Sequence, residues 1–213
     1  MDDLAAFFDD RARAYDRQLW LEAPALRTAA RLAAPAPGER VVDIAAGTGG
    51  MAAAVARRQP RIGSVVLVDA APRMLARAGR HLRGVHRSPQ WLIADARDIP
   101  LPTASADLVS IAYLLHLLDP GDASTVVGEA VRLLAPGGRL IVVVHGCPPG
   151  RVGAMYRRCW SLYARFAPGG AVGRGPMSGL AGLLETHGLR IAARRWIPGA
   201  YVSEVVIARA SVG

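Results

Sequence analysis

The segment from Val41 to Ala52 restricts the possible folds more than any other stretch of this chain. Val41-Val42-Asp43-Ile44 is a short apolar run, Ala45-Ala46-Gly47-Thr48-Gly49 a small-residue turn, and Gly50-Met51-Ala52 opens a helical pattern. A buried strand that passes through glycines straight into a helix is half of a βαβ unit, because parallel strands need a crossover between them. The same alternation recurs. It predicts strands at Val41–Ile44, Val65–Val68, Trp91–Ala94, Leu108–Ala112, Leu140–Val144, Leu189–Trp196 and Tyr201–Ala208. Helices are predicted from Gly50 to about Gln59, from Pro72 to about Arg83 and from Asp122 to Ala135, the last halted by Pro136-Gly137-Gly138. Only Pro198 and Gly199 punctuate the last two strands, which are therefore expected to pair antiparallel. The fold class is α/β: a seven-stranded, mostly parallel sheet with an antiparallel C-terminal hairpin and helices on both faces.

The 213 residues suffice for one buried core, and 52% hydrophobic residues with a mean hydropathy of +0.23 argue against disorder. A single domain over 1–213 is expected. Residues 1–38 form a helical cap (Leu4 to about Leu19 and Pro24 to Ala34), 39–146 a cofactor-binding core, 147–184 a substrate-side insertion and 185–213 the terminal strands. The longest apolar stretch, Leu108 to Leu118, is too short to span a bilayer and carries His116. The acidic start (Asp2, Asp3, Asp9, Asp10) is the reverse of a basic targeting segment, so a cytoplasmic location is expected. Cys147 and Cys159 are too few for a disulfide framework or a zinc cluster, and no metal is expected.

All 26 basic residues are arginine. Up to Gly138 there are 16 Arg against 15 Asp and Glu, a balance of +1, whereas from Arg139 onward 10 Arg face only Glu185 and Glu204, a balance of +8. A cationic half of this kind suits anionic partners, although solvated arginines on an arginine-rich chain account for it equally well.

Glycines at the Val41–Ala52 turn let a ligand approach the backbone, and the first amides of the next helix point at whatever binds there. Asp69 closes the second strand 19 residues after Gly50, where a carboxylate can accept both hydroxyls of a ribose. Asp95 closes the third strand and can accept a hydrogen bond from an exocyclic amine such as that of adenine. Gly47-x-Gly49-x-x-Ala52 also satisfies the dinucleotide pattern, so two cofactors are in play. Asp43 separates them. A pyrophosphate at this turn gains nothing from a carboxylate four residues earlier, whereas the ammonium and sulfonium of S-adenosylmethionine give that acid a cationic partner.

These residues resemble the class I S-adenosylmethionine-dependent methyltransferases, a Rossmann-like family, over about Tyr15 to Ala208. The family's first motif is matched by Asp43-Ile44-Ala45-Ala46-Gly47-Thr48-Gly49, and its second acidic strand end by Val68-Asp69-Ala70 with Pro72-Arg73-Met74-Leu75 following. Asp95-Ala96, Ala106-Asp107-Leu108-Val109 and Leu133 to Leu140 match the later motifs. Tyr15-Asp16 and Leu114-Leu115-His116 look closest to the subgroup that methylates ubiquinone and menaquinone precursors. Ala45 departs from a frequent glycine and Gly50 from a frequent acid. The resemblance implies S-adenosyl-L-methionine as cofactor, bound by Asp43, Ala45, Gly47, Thr48, Gly49, Asp69, Ala70, Met74, Asp95, Ala96 and Ala112.

Methyl transfer is an in-line displacement from an activated donor, so positioning supplies most of the acceleration and no catalytic side chain is obligatory. A phenolic or carbon acceptor profits from a general base, for which His116 and His145 are the candidates, with a structural role as the plainer reading of each. Tyr15 and Tyr113 are expected to line the methionine end or the acceptor pocket, and His81, His86 and His187 to lie on the surface. In the insertion, Tyr156, Trp160 and Tyr163 at helical spacing form either an aromatic wall over a small flat acceptor or ordinary core packing. Arg157, Arg158 and Arg165 face solvent or an anionic membrane surface. The alternatives are an NAD(P)-binding oxidoreductase, a nucleic-acid methyltransferase using the basic half, and a relative that keeps the fold without the activity. Against the second, Ser110-Ile111-Ala112-Tyr113 stands where base-modifying relatives carry an Asn or Asp followed by Pro-Pro-aromatic.

Overall fold

In the computed structural model, which describes residues 2–15, 19–85, 88–166, 175–199 and 202–210, the strand–turn–helix element lies at the middle of the sheet. It comprises β1 (Arg40–Ile44) and α3 (Gly50–Arg58), preceded by α1 (Asp2–Tyr15) and α2 (Leu19–Ala33). The chain continues through β2 (Ser64–Asp69), α4 (Pro72–Leu82), β3 (Gln90–Ile93), β4 (Ala106–Ala112), α5 (Pro120–Leu133) and β5 (Leu134–His145). It ends with α6 (Gly150–Phe166), α7 (Leu180–Thr186), β6 (Leu189–Ile197) and β7 (Ser203–Ala210).

The seven strands lie in the order β3-β2-β1-β4-β5-β7-β6. β1 pairs in parallel with both β2 and β4, so the chain reverses its direction of travel across the sheet between them. That reversal opens a crevice at the carboxyl ends of β1 and β4. β7 runs antiparallel to both of its neighbours, β5 and β6. The expected C-terminal pair is present, with its second strand inserted between β5 and β6.

The central strands are apolar on both faces because helices cover both. In β5, Leu140, Val142 and Val144 pack with α5 and α7, while Ile141 and Val143 pack with α2, α3 and α4. Two-sided burial explains why these strands read as continuous apolar runs. In β1, Val41 packs on the α3 side, and by alternation Asp43 stands on that same face, beneath the start of α3.

Two of the differences in boundary from the sequence reading have a plain physical cause. α5 stops at Leu133, and Leu134 already pairs with Ala106 before the register slips and Leu108 meets Arg139. Ala135 to Gly138 loop out between those pairings, a bulge that Gly137 makes possible at φ 78°. α2 begins at Leu19 and runs through Pro24, which sits early enough to forfeit only the bond to the Trp20 carbonyl. At the other end of the sheet, buried Arg139 holds both carboxylate oxygens of Glu39 at 2.8 Å and donates to the Ala33 and Ala34 carbonyls. One cation of the basic half is thereby spent tying α2 to the sheet.

Candidate active site

The glycine turn is held from both sides. Gly47 N–H donates to Asp69 Oδ2 at 2.7 Å, Ala46 N–H to the Val68 carbonyl at 3.0 Å, and the His81 ring nitrogen Nδ1 meets the Thr48 carbonyl at 2.7 Å. Gly47 and Gly49 take positive φ of 55° and 80°, and Ala45 does so at 52°, where its Cβ strains a conformation that glycine adopts freely. A Cβ on Gly49 would come within 2.9 Å of Ala78 Cβ, so this glycine serves the close packing of α4 against the turn.

A cavity opens over this turn at the carboxyl ends of β1, β2 and β4. Of the residues expected to bind a cofactor, Asp43, Ala45, Gly47, Thr48, Asp69, Ala70, Met74, Ala96 and Ala112 line it, as does Tyr113; Gly49 and Asp95 do not. The two helices before β1 complete the wall with Leu4 and Phe8 from α1 and Leu19, Glu22 and Leu26 from α2. α1 is tied down where Asp9 accepts the Arg73 N–H at 2.6 Å and Asp10 pairs with the Arg73 guanidinium at 3.1 Å.

The electrostatics of this cavity are one-sided. Among the described residues its wall carries three acids, Glu22, Asp43 and Asp69, and neither an arginine nor a histidine. Asp43 is fully buried, accepting from Ser110 Oγ at 2.6 Å and the Ala52 N–H at 3.0 Å. Burial pushes its carboxyl up to about 7, opposed by those two hydrogen bonds and reinforced by the charge of Asp69. Asp69 is also raised, chiefly by burial, and its oxygens accept from Gly47 N–H and from Ala71 N–H at 2.8 Å. Thr48 Oγ1 is buried with no hydrogen-bond partner among the described residues, an orphaned polar atom on a cavity wall.

Asp95 is engaged elsewhere. Its carboxylate takes a forked pair of bonds from Arg97, the shortest 2.7 Å, which hold it below the usual carboxylate range, and Arg97 reaches on to Asp122 at 2.9 Å. The neighbours of Asp95 in sequence, Ala94 and Ala96, line the cavity on either side of it.

A second cluster adjoins the first through Tyr113. The Tyr113 hydroxyl lies 2.8 Å from Ser203 Oγ, and its ring meets the edge of His116. His116 packs against His145 at 5.9 Å between centroids, and His145 against Trp160 at 4.4 Å. Tyr156 takes the Val202 N–H on its oxygen, and its hydroxyl shares a hydrogen bond with His145 Nε2 at 2.5 Å. Burial pushes His116 down to about 3, with His145 adding to the effect, and His145 down to about 4. Both imidazoles are therefore neutral at pH 7. His116 Nδ1 is buried and without a partner among the described residues. The four side chains His116, His145, Tyr156 and Trp160 thus stand together without lining the first cavity. The side chains of Tyr15 and Tyr163, and His86 altogether, lie outside the described residues.

Sequence reasoning missed Glu22, Phe8 and Leu19, since nothing local marks residues of a preceding helix as cavity wall. His81 and His187, read as surface, are partly buried and bonded, His187 to Ser124 Oγ at 2.9 Å. Their signal was position: each sits near the end of a helix that packs on the sheet. Cys147 and Cys159 are free thiols, and no group of three His, Cys, Asp or Glu gathers to hold a metal among the described residues.

Residues 41–138 match the family described as methyltransferase domain, and the open α/β sheet of this strand order, with a glycine turn between two acid-tipped strands, accords with that match. More particularly, the chain is 34% identical over 173 residues to the demethylmenaquinone methyltransferase of Clavibacter sepedonicus, covering 76% of this chain and 64% of that one. It is 39% identical over 132 residues to the demethylmenaquinone methyltransferase of Thermus thermophilus, covering 62% of this chain and 59% of the relative. It therefore spans less than two thirds of either. Among solved structures, magnesium protoporphyrin IX methyltransferase from Synechocystis, crystallised with S-adenosylhomocysteine, shares the fold at a TM-score of 0.75 and 17% identity over 99% of both chains.

Proposed function

We propose that this chain transfers a methyl group from S-adenosylmethionine to a small lipophilic or aromatic acceptor of the quinol type. The observation that carries this reading is the charge of the first cavity: a chain with 26 arginines and a net charge of +9 lines it with three acids and no base among the described residues. Such a wall attracts a cationic ligand and repels a pyrophosphate, which disfavours a nicotinamide dinucleotide. The orphaned Thr48 hydroxyl and the glycine turn fit a polar small molecule at the same place.

Bound there, S-adenosylmethionine supplies a methyl group on a sulfonium, activated toward displacement. Asp43 and Glu22 provide negative charge for the amino-acid end, Asp69 faces the ribose hydroxyls, and Met74 and Ala96 enclose the base. Leu4, Phe8 and Leu19 exclude water, which would otherwise solvate the nucleophile. Tyr113, Ala112, Tyr156 and Trp160 make the acceptor side. Of the two histidines, His116 is the better placed to take a proton from the acceptor, because its Nδ1 is uncommitted among the described residues while His145 Nε2 is already engaged with the Tyr156 hydroxyl. The relatives named above for demethylmenaquinone support a quinol nucleus as acceptor.

Incubation with methyl-labelled S-adenosylmethionine and a short-chain demethylated naphthoquinol, followed by mass analysis, tests this directly. A product heavier by one methyl is expected. Tight binding of NADH with no binding of S-adenosylmethionine would overturn the reading.

A further inference from the structure

α6 carries aromatic side chains toward the His145 cluster and a different set outward. At 100° per residue, Val152, Met155, Cys159 and Leu162 fall within an arc of about 80°. Val152 and Met155 are 64% exposed and Leu162 57%, half of the six exposed large hydrophobic residues among those described. Arg151 and Arg158 border this stripe, Arg157 lies farther round, and all three are exposed. The helix has no Asp or Glu. The arc on the other side of the stripe from those first two arginines is occupied: Gly153 is buried, Tyr156 is bonded to His145, and Trp160 packs on the same ring.

We infer that the outer face of α6 docks on an anionic lipid bilayer, its apolar stripe entering the interface and its arginines meeting the headgroups. An apolar stripe edged by arginine is the pattern of a helix lying in a membrane surface. Charge selects this occupant over others. A second copy of the chain would cover the stripe while bringing two sets of arginines together. A nucleic acid would satisfy the arginines and leave the stripe in water. An anionic bilayer takes both. The inference rests on the proposed function in one respect: a lipophilic acceptor dissolved in the bilayer would then reach the His116 and His145 cluster from the same helix that binds the surface.

Co-sedimentation of the full chain with vesicles of phosphatidylcholine alone, and of phosphatidylcholine mixed with phosphatidylglycerol, tests it. The assay needs neither cofactor nor acceptor, so its outcome is separate from that of methyl transfer. Binding to the anionic vesicles is expected, with little to the neutral ones. Arg151→Gln with Arg158→Gln should weaken it by about fivefold for each arginine. Met155→Ser with Leu162→Ser should weaken it more than about tenfold, with the melting temperature unchanged because both side chains are exposed. Binding that ignores the serine pair, or no binding to anionic vesicles, would overturn the inference. So would a dimer in sedimentation velocity that the serine pair dissolves, which assigns the stripe to a second copy.

Discussion

Asp43 puts a measurable tension into the fold. Its carboxyl titrates near 7 in the folded chain and near 3.8 when unfolded. A raised acid favours the folded state most at low pH, and that advantage is lost as pH climbs from about 4 through 7. At 1.36 kcal/mol per pKa unit, keeping Asp43 ionised above pH 7 costs the ligand-free protein about 4 kcal/mol. Asp43→Asn removes the charge and keeps the hydrogen bonds, since the amide oxygen accepts from Ala52 and the Ser110 hydroxyl can turn to accept from the amide nitrogen. The stability advantage of the variant should therefore grow by about 3 kcal/mol between pH 5 and pH 8, the two units below the folded pKa carrying most of it. For a chain of this size that is a gain of roughly 5–10 °C in melting temperature relative to the parent. Calorimetric melts of both proteins at pH 5, 6, 7 and 8, without ligand, read this directly. Titrating groups not coupled to Asp43, the two buried histidines included, cancel in the difference. Melting curves that stay parallel across this range would refute the argument. The same variant should bind S-adenosylmethionine at least tenfold more weakly at pH 8, having surrendered the charge meant for the ligand.

Asp69→Ala should weaken binding of S-adenosylmethionine by roughly 1–3 kcal/mol in titration calorimetry, and should also lower stability because Gly47 and Ala71 lose their acceptor; unchanged affinity would remove Asp69 from the ribose. Ala45→Gly relieves the positive φ at 52° and should raise the melting temperature by about 1–3 °C, the strain relief exceeding the added backbone entropy; a lower melting temperature would show the alanine to be relaxed. His116→Ala should leave cofactor affinity within about twofold and lower turnover by about tenfold or more, whereas a normal rate would take it off the catalytic path. Because His116 and His145 titrate near 3 and 4, neither should produce a limb in the rate profile between pH 5 and 9; their depressed pKa values cost stability instead as pH falls from about 6.5 through 4.

The parts of this molecule that were legible in its sequence are those governed by local rules. Val41–Ile44 and Leu140–Val144 announced strands because helices bury both of their faces, and Gly47 and Gly49 announced a turn because few residues accept their backbone angles. Asp43 and Asp69 sit at strand ends, and strand ends of a parallel sheet converge, so both reached the cavity. Glu22 was invisible because its approach depends on how α2 lies across α3. The engagement of Asp95 with Arg97 was invisible for a related reason: Arg97 also reaches Asp122, 25 residues farther along the chain. The pairing of Leu134 ahead of the Gly137 bulge was masked by residues that read as a plain helix stop.

β7 follows β6 along the chain yet lies inside it in the sheet, and this has a consequence for assembly. A growing polypeptide that has emerged only as far as residue 197 offers β6 no edge to join, because the neighbour it needs has not been made. Until residues 203–210 arrive, the β5 edge remains open as a template for any passing strand, one of another molecule included. The last eight described residues thus act as a keystone, and shortening the chain before them should yield aggregates rather than a smaller folded protein.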